Sequence, residues 1–445
     1  MTIATGIAAS RAIRQGDPKV IRGWVVYDWA NSVYQLTIAS AIFPVYYNMV
    51  TRNGDNAVVS FLGLKVINTV LYSYTIAAAF LLIGILSPLL SGLSDYTGRR
   101  KAFMQAFTWI GALSCSFLYF FDRDHITLGV FAFGFGTLGY AGSIVFYNSF
   151  LPVIAAPEDQ DRISARGYSM GYIGGVVLLL FNLWMIQFPD FFGIPKNSSL
   201  PARISFLSVG LWWLGFAQIT FNRLPKYTFR QRKGDENVIT SGYRELRGVF
   251  GQVRKSFRLS VYLAGFLFLM MGVLTVMFMA ASFGAQELNL ADDVLIPTIL
   301  LIQFVGVLGA WSFARISGKL GNLRSLTIVA IIWIAICIGA YHIHSAAGFI
   351  IAAVFIGLVM GGSQALARST YSKMLPETTD HTSYFSFYDV MEKLATVLGL
   401  VSFGFMNHLT GGMRTGVLLI GVFFVVSLIL FWVLIRKERG LANSD

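Results

Sequence analysis

Four polar residues, Asp28, Asn31, Ser32 and Gln35, recur at i, i+3, i+4 and i+7 in a run otherwise made of Val, Trp, Tyr, Ala, Leu and Ile. That spacing collects them on one face of a helix. A carboxylate, two carboxamides and a hydroxyl on one stripe can line a cavity for a polar solute, or they can tie the helix to its neighbours. Asp28 lies about 9 Å along the axis from Arg22, at ~1.5 Å per residue. It is nearer a helix end than the middle, which suits a gate or proton site better than a deep solute contact. The densest charge in an apolar run is Asp389, Glu392 and Lys393, with Thr396 one turn on. Asp389 and Lys393 stand at i, i+4 in the favourable acid-first order and can neutralise each other. Glu392 then needs a partner or a proton. Proton coupling requires a carboxylate that changes charge and partner during a cycle; a gate closed by ion pairs is the other reading of the same three residues.

Gln364 and Arg368 lie one turn apart, and Arg166 opens another apolar run. Either arginine can pair with Asp28 or Glu392, or serve as a basic anchor at a membrane surface. Neutral polar groups inside apolar runs are Asn68, Ser73, Tyr140, Ser143, Asn182 and Gln303. These can hydrogen-bond a small solute or bridge helices. Metal and enzyme chemistry finds little support. Cys115 and Cys337 sit in apolar runs, and His342 and His344 are two apart, on different helix faces. His125, His381 and His408 stand alone at expected helix ends. The sequence has no phosphate loop and no nucleophile elbow. The expectation is a protein without cofactor or metal, and not an enzyme.

The elements that must hold these residues are set by composition. Of 445 residues, 56% are hydrophobic and 13% charged, with a mean hydropathy of +0.65. A globular chain carries about 25% charged residues, so this chain is expected to be a polytopic membrane protein. Apolar runs of about 20 residues predict twelve spans: 23–50, 66–90, 103–121, 126–150, 166–188, 204–222, 259–282, 294–314, 325–343, 348–370, 386–408 and 414–435. Alternate connections on one side hold 27 of the 34 Lys and Arg, those on the other hold six, and Lys393 falls inside a span. That bias places both termini in the cytoplasm. The net charge of +12 is therefore topological, which argues against a nucleic-acid partner. Residues 1–21, with Arg11, Arg14 and Lys19, lack the apolar core of a cleavable signal peptide.

The chain also repeats. Ser91-Gly-Leu-Ser-Asp-Tyr-Thr-Gly-Arg-Arg-Lys101 aligns with Ala314-Arg-Ile-Ser-Gly-Lys-Leu-Gly-Asn-Leu-Arg324, so that Gly98 falls on Gly321. Tyr147-Asn-Ser-Phe-Leu-Pro152 aligns with Tyr371-Ser-Lys-Met-Leu-Pro376 at nearly the same offset. Two six-helix halves, 1–222 and 259–445, follow as parallel repeats. Between them, 223–258 carries ten basic and three acidic residues. Within it Tyr243, Leu246, Phe250, Val253 and Phe257 recur at helical spacing, which reads either as an amphipathic helix on an anionic leaflet or as a solvated linker. Gly167, Gly171 and Gly175, and again Gly357 and Gly361, form small-residue ridges suited to close helix approach, expected where the halves slide.

Leu93, Asp95, Gly98, Arg99, Arg100 and Lys101 resemble the loop signature of the major facilitator superfamily, with Ser91 in place of its first Gly. Tyr27-Asp-Trp-Ala-Asn-Ser32, Phe43-Pro-Val-Tyr-Tyr47, Tyr147-Asn-Ser-Phe-Leu-Pro152, Arg166-Gly-Tyr-Ser-Met-Gly-Tyr-Ile-Gly-Gly175 and Gly361-Gly-Ser-Gln-Ala-Leu-Ala-Arg-Ser369 resemble its vacuole-effluxer-like branch, whose fungal members are tied to autophagy and to amino-acid return from the vacuole. The resemblance implies an all-α, twelve-helix secondary transporter working by alternating access, expected as a monomer. It also implies a conformational latch in which Asp95 meets the start of the eleventh span, while Arg99, Arg100 and Lys101 hold acidic groups or lipid phosphates. The implied cargo is an amino acid, moved by efflux or exchange, with proton coupling as an option. Sugars or other small metabolites would use the same Asn, Gln and aromatic groups, and a receptor or channel is the remaining class.

Overall fold

A computed structural model describes residues 15–51, 58–195, 198–226, 238–378, 380–410 and 412–442. Arg11 and Arg14 of the signal-peptide reading, and linker residues 227–237, lie outside the described residues. The elements are α1 (Pro18–Val33), α2 (Ile42–Thr51), β1 (Val58–Phe61), β2 (Leu64–Ile67), α3 (Asn68–Thr97), α4 (Arg100–Phe117), α5 (Ile126–Asn148), α6 (Leu151–Ile154), α7 (Gln160–Gln187), α8 (Leu200–Arg223), α9 (Val238–Lys255), α10 (Phe257–Glu287), α11 (Asp292–Leu320), α12 (Asn322–Tyr341), α13 (Ala346–Met374), α14 (His381–Thr410) and α15 (Met413–Ala442). All twelve expected spans are present among the described residues, the first as α1 and α2 joined by a wider π turn over Tyr34–Ala41. Among the described residues, ten helices are long and apolar enough to cross a membrane on that basis alone. The other two paths, α1–α2 and α14, are those that carry the polar stripe and the charge cluster. The protein is a multi-pass membrane protein.

Local sequence sets the helix ends. Asp17 caps α1 by accepting the Lys19 N–H at 2.8 Å, with Pro18 at the first helical position. Ser256 and Ser345 cap α10 and α13 in the same way. Gly98 ends α3 at φ +67°, a left-handed conformation that a side chain would strain. One feature departs from the expected single crossing at the start. The connection after α2 folds as an antiparallel hairpin with Val58 opposite Ile67, turning on Leu62 and Gly63 at positive φ. This hairpin delivers Asn68 to the first turn of α3, where its side chain donates to Thr51 at 2.9 Å and its carbonyl accepts from Tyr47. Asn68 is thus an end-of-helix clasp and not a group in the middle of a span.

One apolar core gathers residues between Ile21 and Leu224, and a second gathers residues between Val249 and Leu434. The two bundles meet along two seams, α7 against α11 and α13, and α14 against α3 and α5. Contrary to the expectation that they lie where the halves slide, the glycine ridges do not run along those seams but lie inside each bundle. Gly171 and Gly175 face Ser32 of α1 and Leu36 of the π turn that follows it, and Gly357 and Gly361 face Ile302, Gly306 and Ala310 of α11. Gly167 alone touches the partner bundle, beside Asp28 and Arg368. The basic connection does form an amphipathic helix, α9. It lies along α3 and buries Val249 and Val253, while Tyr243 and Phe250 stay exposed. Gln252 accepts from the Tyr384 hydroxyl at 2.5 Å, which ties α9 to α14.

Candidate functional site

The connections α3–α4, α6–α7, α11–α12 and α13–α14 share one face, termed the basic face. Its centre is a buried ion pair. Asp28 of α1 and Arg368 of α13 are 5% and 1% exposed, and one Asp28 oxygen lies 3.4 Å from both terminal guanidinium nitrogens. That is long for a charge-assisted bond, normally about 2.7–2.9 Å. The tight bond to Asp28 comes instead from the Tyr147 hydroxyl, at 2.7 Å. Arg368 spreads its remaining donors over Ser164 Oγ at 2.9 Å, the Ser164 carbonyl at 2.8 Å and Asn148 Oδ1 at 3.3 Å. Three rings, Trp24, Tyr147 and Tyr168, stand within 5.5 Å of the guanidinium carbon. Full satisfaction of this kind is what a buried charge requires. Since Arg368 belongs to the second bundle and its partners to the first, the pair joins the two halves and can exist only while this face is closed.

The first-helix motif explains itself residue by residue. Tyr27 bonds Thr108 at 2.6 Å, Trp24 donates to the Tyr147 carbonyl at 2.9 Å, and Trp29 stacks on Trp212 at 5.2 Å. These contacts fix the rotation of α1, so that Asp28 faces Arg368. One turn further, Asn31 is buried with no partner for its Nδ2 among the described residues. Ser32 and Gln35 are half-buried beside it. Tyr140 stacks on Tyr34 at 4.9 Å, and Ser143 bonds its own helix at the Tyr140 carbonyl. Gln364 accepts from Tyr172 across the seam at 2.5 Å. The half-buried Gln303 leaves its Oε1 unpaired among the described residues. Asp389 and Lys393 form their i, i+4 pair, with the second Asp389 oxygen buried and unpaired among the described residues. Glu392 is half-buried; its carbonyl accepts from Thr396 at 3.0 Å, while its carboxylate makes no hydrogen bond or ion pair among the described residues. Orphaned donors and acceptors at this depth are costly unless something else completes them.

The latch forms. Asp95 is buried and accepts the backbone N–H groups of Thr382 and Ser383, the first turn of α14, at 3.3 and 2.7 Å. Arg100 pairs with Asp95 itself at 3.0 Å, and Lys101 donates to the Leu224 carbonyl at 3.0 Å. Arg99 alone is exposed. Arg166 does not join Asp28 or Glu392. It lies exposed on the outside of α7, in a lateral groove. The sequence reading missed a second latch. Asp161, in the first turn of α7, holds Ser317, Asn322 and Lys373, each at 2.7 Å. It also missed the roles of Tyr147, Asn148 and Ser164 around Arg368. Tyr147 and Asn148 stood in a quoted motif, but nothing in their spacing pointed to a partner on α13.

Residues 16–444 match the family described as "Vacuole effluxer Atg22 like". The MFS-type transporter YxiO of Bacillus subtilis (strain 168) is 28% identical over 92% of this chain and 92% of its own. Autophagy-related protein 22-1 of Aspergillus terreus is 22% identical over 91% of this chain and 80% of its own. Among solved structures, the major facilitator transporter FucP in the outward conformation superposes with a TM-score of 0.68 at 12% identity, covering 94% of this chain and 98% of that one. The proton:xylose symporter XylE gives 0.68 at 11%, covering 93% and 94%. Twelve helices in two repeated bundles, the Asp95 latch and a match running almost the length of the chain agree: this protein belongs to the vacuole effluxer Atg22-like family and is a transporter of the major facilitator superfamily.

Proposed function

We propose that the protein carries a small polar solute, with amino acids as the cargo class, between a basic face in the cytoplasm and the opposite side of a bacterial inner membrane. The observation that carries this reading is the buried Asp28–Arg368 pair, which links the two bundles at one face only in the closed arrangement. Opening that face must separate the pair, and the unpaired Asn31 Nδ2, Gln303 Oε1 and Asp389 oxygen offer donors and acceptors to a polar cargo. The amino-acid assignment rests on the effluxer resemblance. Proton coupling follows from competition: a proton on Asp28 removes its attraction for Arg368, so protonation and closure oppose each other. Glu392 is the second carboxylate in this scheme.

Proteoliposome uptake of tritiated amino acids, sugars and organic cations, with counterflow, tests the reading. Saturable counterflow of amino acids is the expected result. Flux of sugars alone would replace the cargo class, and single-channel conductance would replace the carrier.

A further inference from the structure

We propose that a lateral groove at the basic face binds an anionic phospholipid that bridges the two bundles and favours closure of this face. The groove, about 940 Å³, lies where α1, α7 and α8 of the first bundle meet α11 of the second. Five arginines line it: Arg22, Arg162, Arg166, Arg223 and Arg315. Asp159 pairs with Arg162 at 2.6 Å, and Arg315 lies 3.3 Å over the Trp311 ring. Arg22, Arg166 and Arg223 make no ion pair among the described residues. The neighbouring acid Asp161 is already committed to Lys373, Ser317 and Asn322. Five arginines around one groove whose lining includes no carboxylate repel one another and call for an anion.

Besides the arginines the lining is apolar apart from Ser169, with Val25, Val26, Met170, Val307, Leu308 and Trp311 its larger side chains. Leu308 and Trp311 are exposed on the flank of α11, a helix long and apolar enough to cross a membrane, so hydrocarbon is the surrounding that suits them. A soluble anion would satisfy the arginines and leave that apolar surface unused. An anionic phospholipid fills both, with its phosphate at the arginine rim and an acyl chain along α11. Arg315 is from the second bundle and the other four arginines are from the first, so one headgroup contacts both halves in the arrangement seen here. The site is distinct from the basic surface of α9.

The test is native mass spectrometry of the full-length protein in detergent with equimolar phosphatidylglycerol and phosphatidylcholine, together with thermal unfolding in phosphatidylglycerol or in inorganic phosphate. Phosphatidylglycerol is expected to be retained preferentially and to raise the melting temperature, whereas inorganic phosphate does neither. Arg166→Ala/Arg223→Ala should lower retention about thirtyfold, from two arginines at ~1 kcal/mol each. Arg254→Ala/Lys255→Ala on α9 should leave it unchanged. Equal retention of both lipids, a preference that survives the groove variant, a preference lost only in the α9 variant, or equal stabilisation by inorganic phosphate would each overturn the assignment.

Discussion

Lys373, in the last turn of α13, places its Nζ 2.7 Å from Asp161 in the first turn of α7. This pair is the repeat-related counterpart of Asp95 at the start of α14, with the acid moved to the other side of the seam. Between the aligned loops Ser94 falls on Ser317 and Asp95 on Gly318, so the second loop has lost its carboxylate. Ser317 and Asn322 donate from that loop to Asp161 instead. In both latches a carboxylate ends up at a helix N-terminus, where the dipole favours it.

The two latches differ in burial, and that sets their relative weight. Asp95 and Arg100 are almost fully buried, whereas the Lys373 side chain is 22% exposed. Asp95→Asn should therefore loosen the closed face more than Asp161→Asn. In a protein carrying Ala165→Cys, a seam position now buried against Ala310 and Ala365, maleimide labelling should rise about tenfold for Asp95→Asn, or ~1.4 kcal/mol, and a few-fold for Asp161→Asn. Native Cys115 and Cys337 are buried and give little background. Unchanged labelling in both variants would show that neither carboxylate controls closure.

Arg368→Ala should destabilise the protein by about 3–5 kcal/mol, because Asp28 is left as a buried charge with only Tyr147 to serve it. Asp28→Asn/Arg368→Gln removes both charges and should recover part of that loss. Thermal unfolding in detergent distinguishes the two; equal melting temperatures would mean that the pair has little energetic weight.

Gly167→Ala should abolish counterflow. A methyl group there meets the Asp28 carboxylate, the Arg368 guanidinium and Trp24, and overpacking of this kind costs about 1–3 kcal/mol. Gly215→Ala, which meets nothing, is the control and should transport normally. Counterflow by both variants at the same rate would remove Gly167 from the gate.

At Gly98 the constraint is backbone conformation and not space. Its φ of +67° costs an ordinary L-residue about 1–2 kcal/mol, so Gly98→Ala should lower the melting temperature. Gly98→Asn, better suited to this conformation, should lower it less. The reverse order would place the cost in side-chain contacts.

Asp28→Asn and Glu392→Gln should each abolish accumulation driven by a pH gradient while leaving counterflow, which needs no net proton movement. Acidifying the basic-face compartment should favour opening in the wild type, because a proton on Asp28 competes with Arg368. Full gradient-driven accumulation in both variants would make these carboxylates gate or packing groups.

The sequence by itself determined the twelve spans, the sidedness of the charge, the duplication and the pairing of Asp389 with Lys393. Each is written within one helix or loop, as apolar run length, charge count, periodicity or i, i+4 spacing. Asp95 was legible too, through a loop pattern whose glycine is fixed by backbone geometry. Only the tertiary structure decided which arginine meets Asp28: Arg368, 340 residues away, and not Arg166. The same holds for the Asp161 latch, the inward direction of the glycine ridges and the docking of α9 along α3. Apolar helices in a bilayer have little sequence signal for rotation or neighbour choice, because lipid and protein present similar apolar surfaces to them. Those choices are made by a few buried polar contacts and close-packed small residues that link distant segments, and their spacing in the chain carries no trace of the partner.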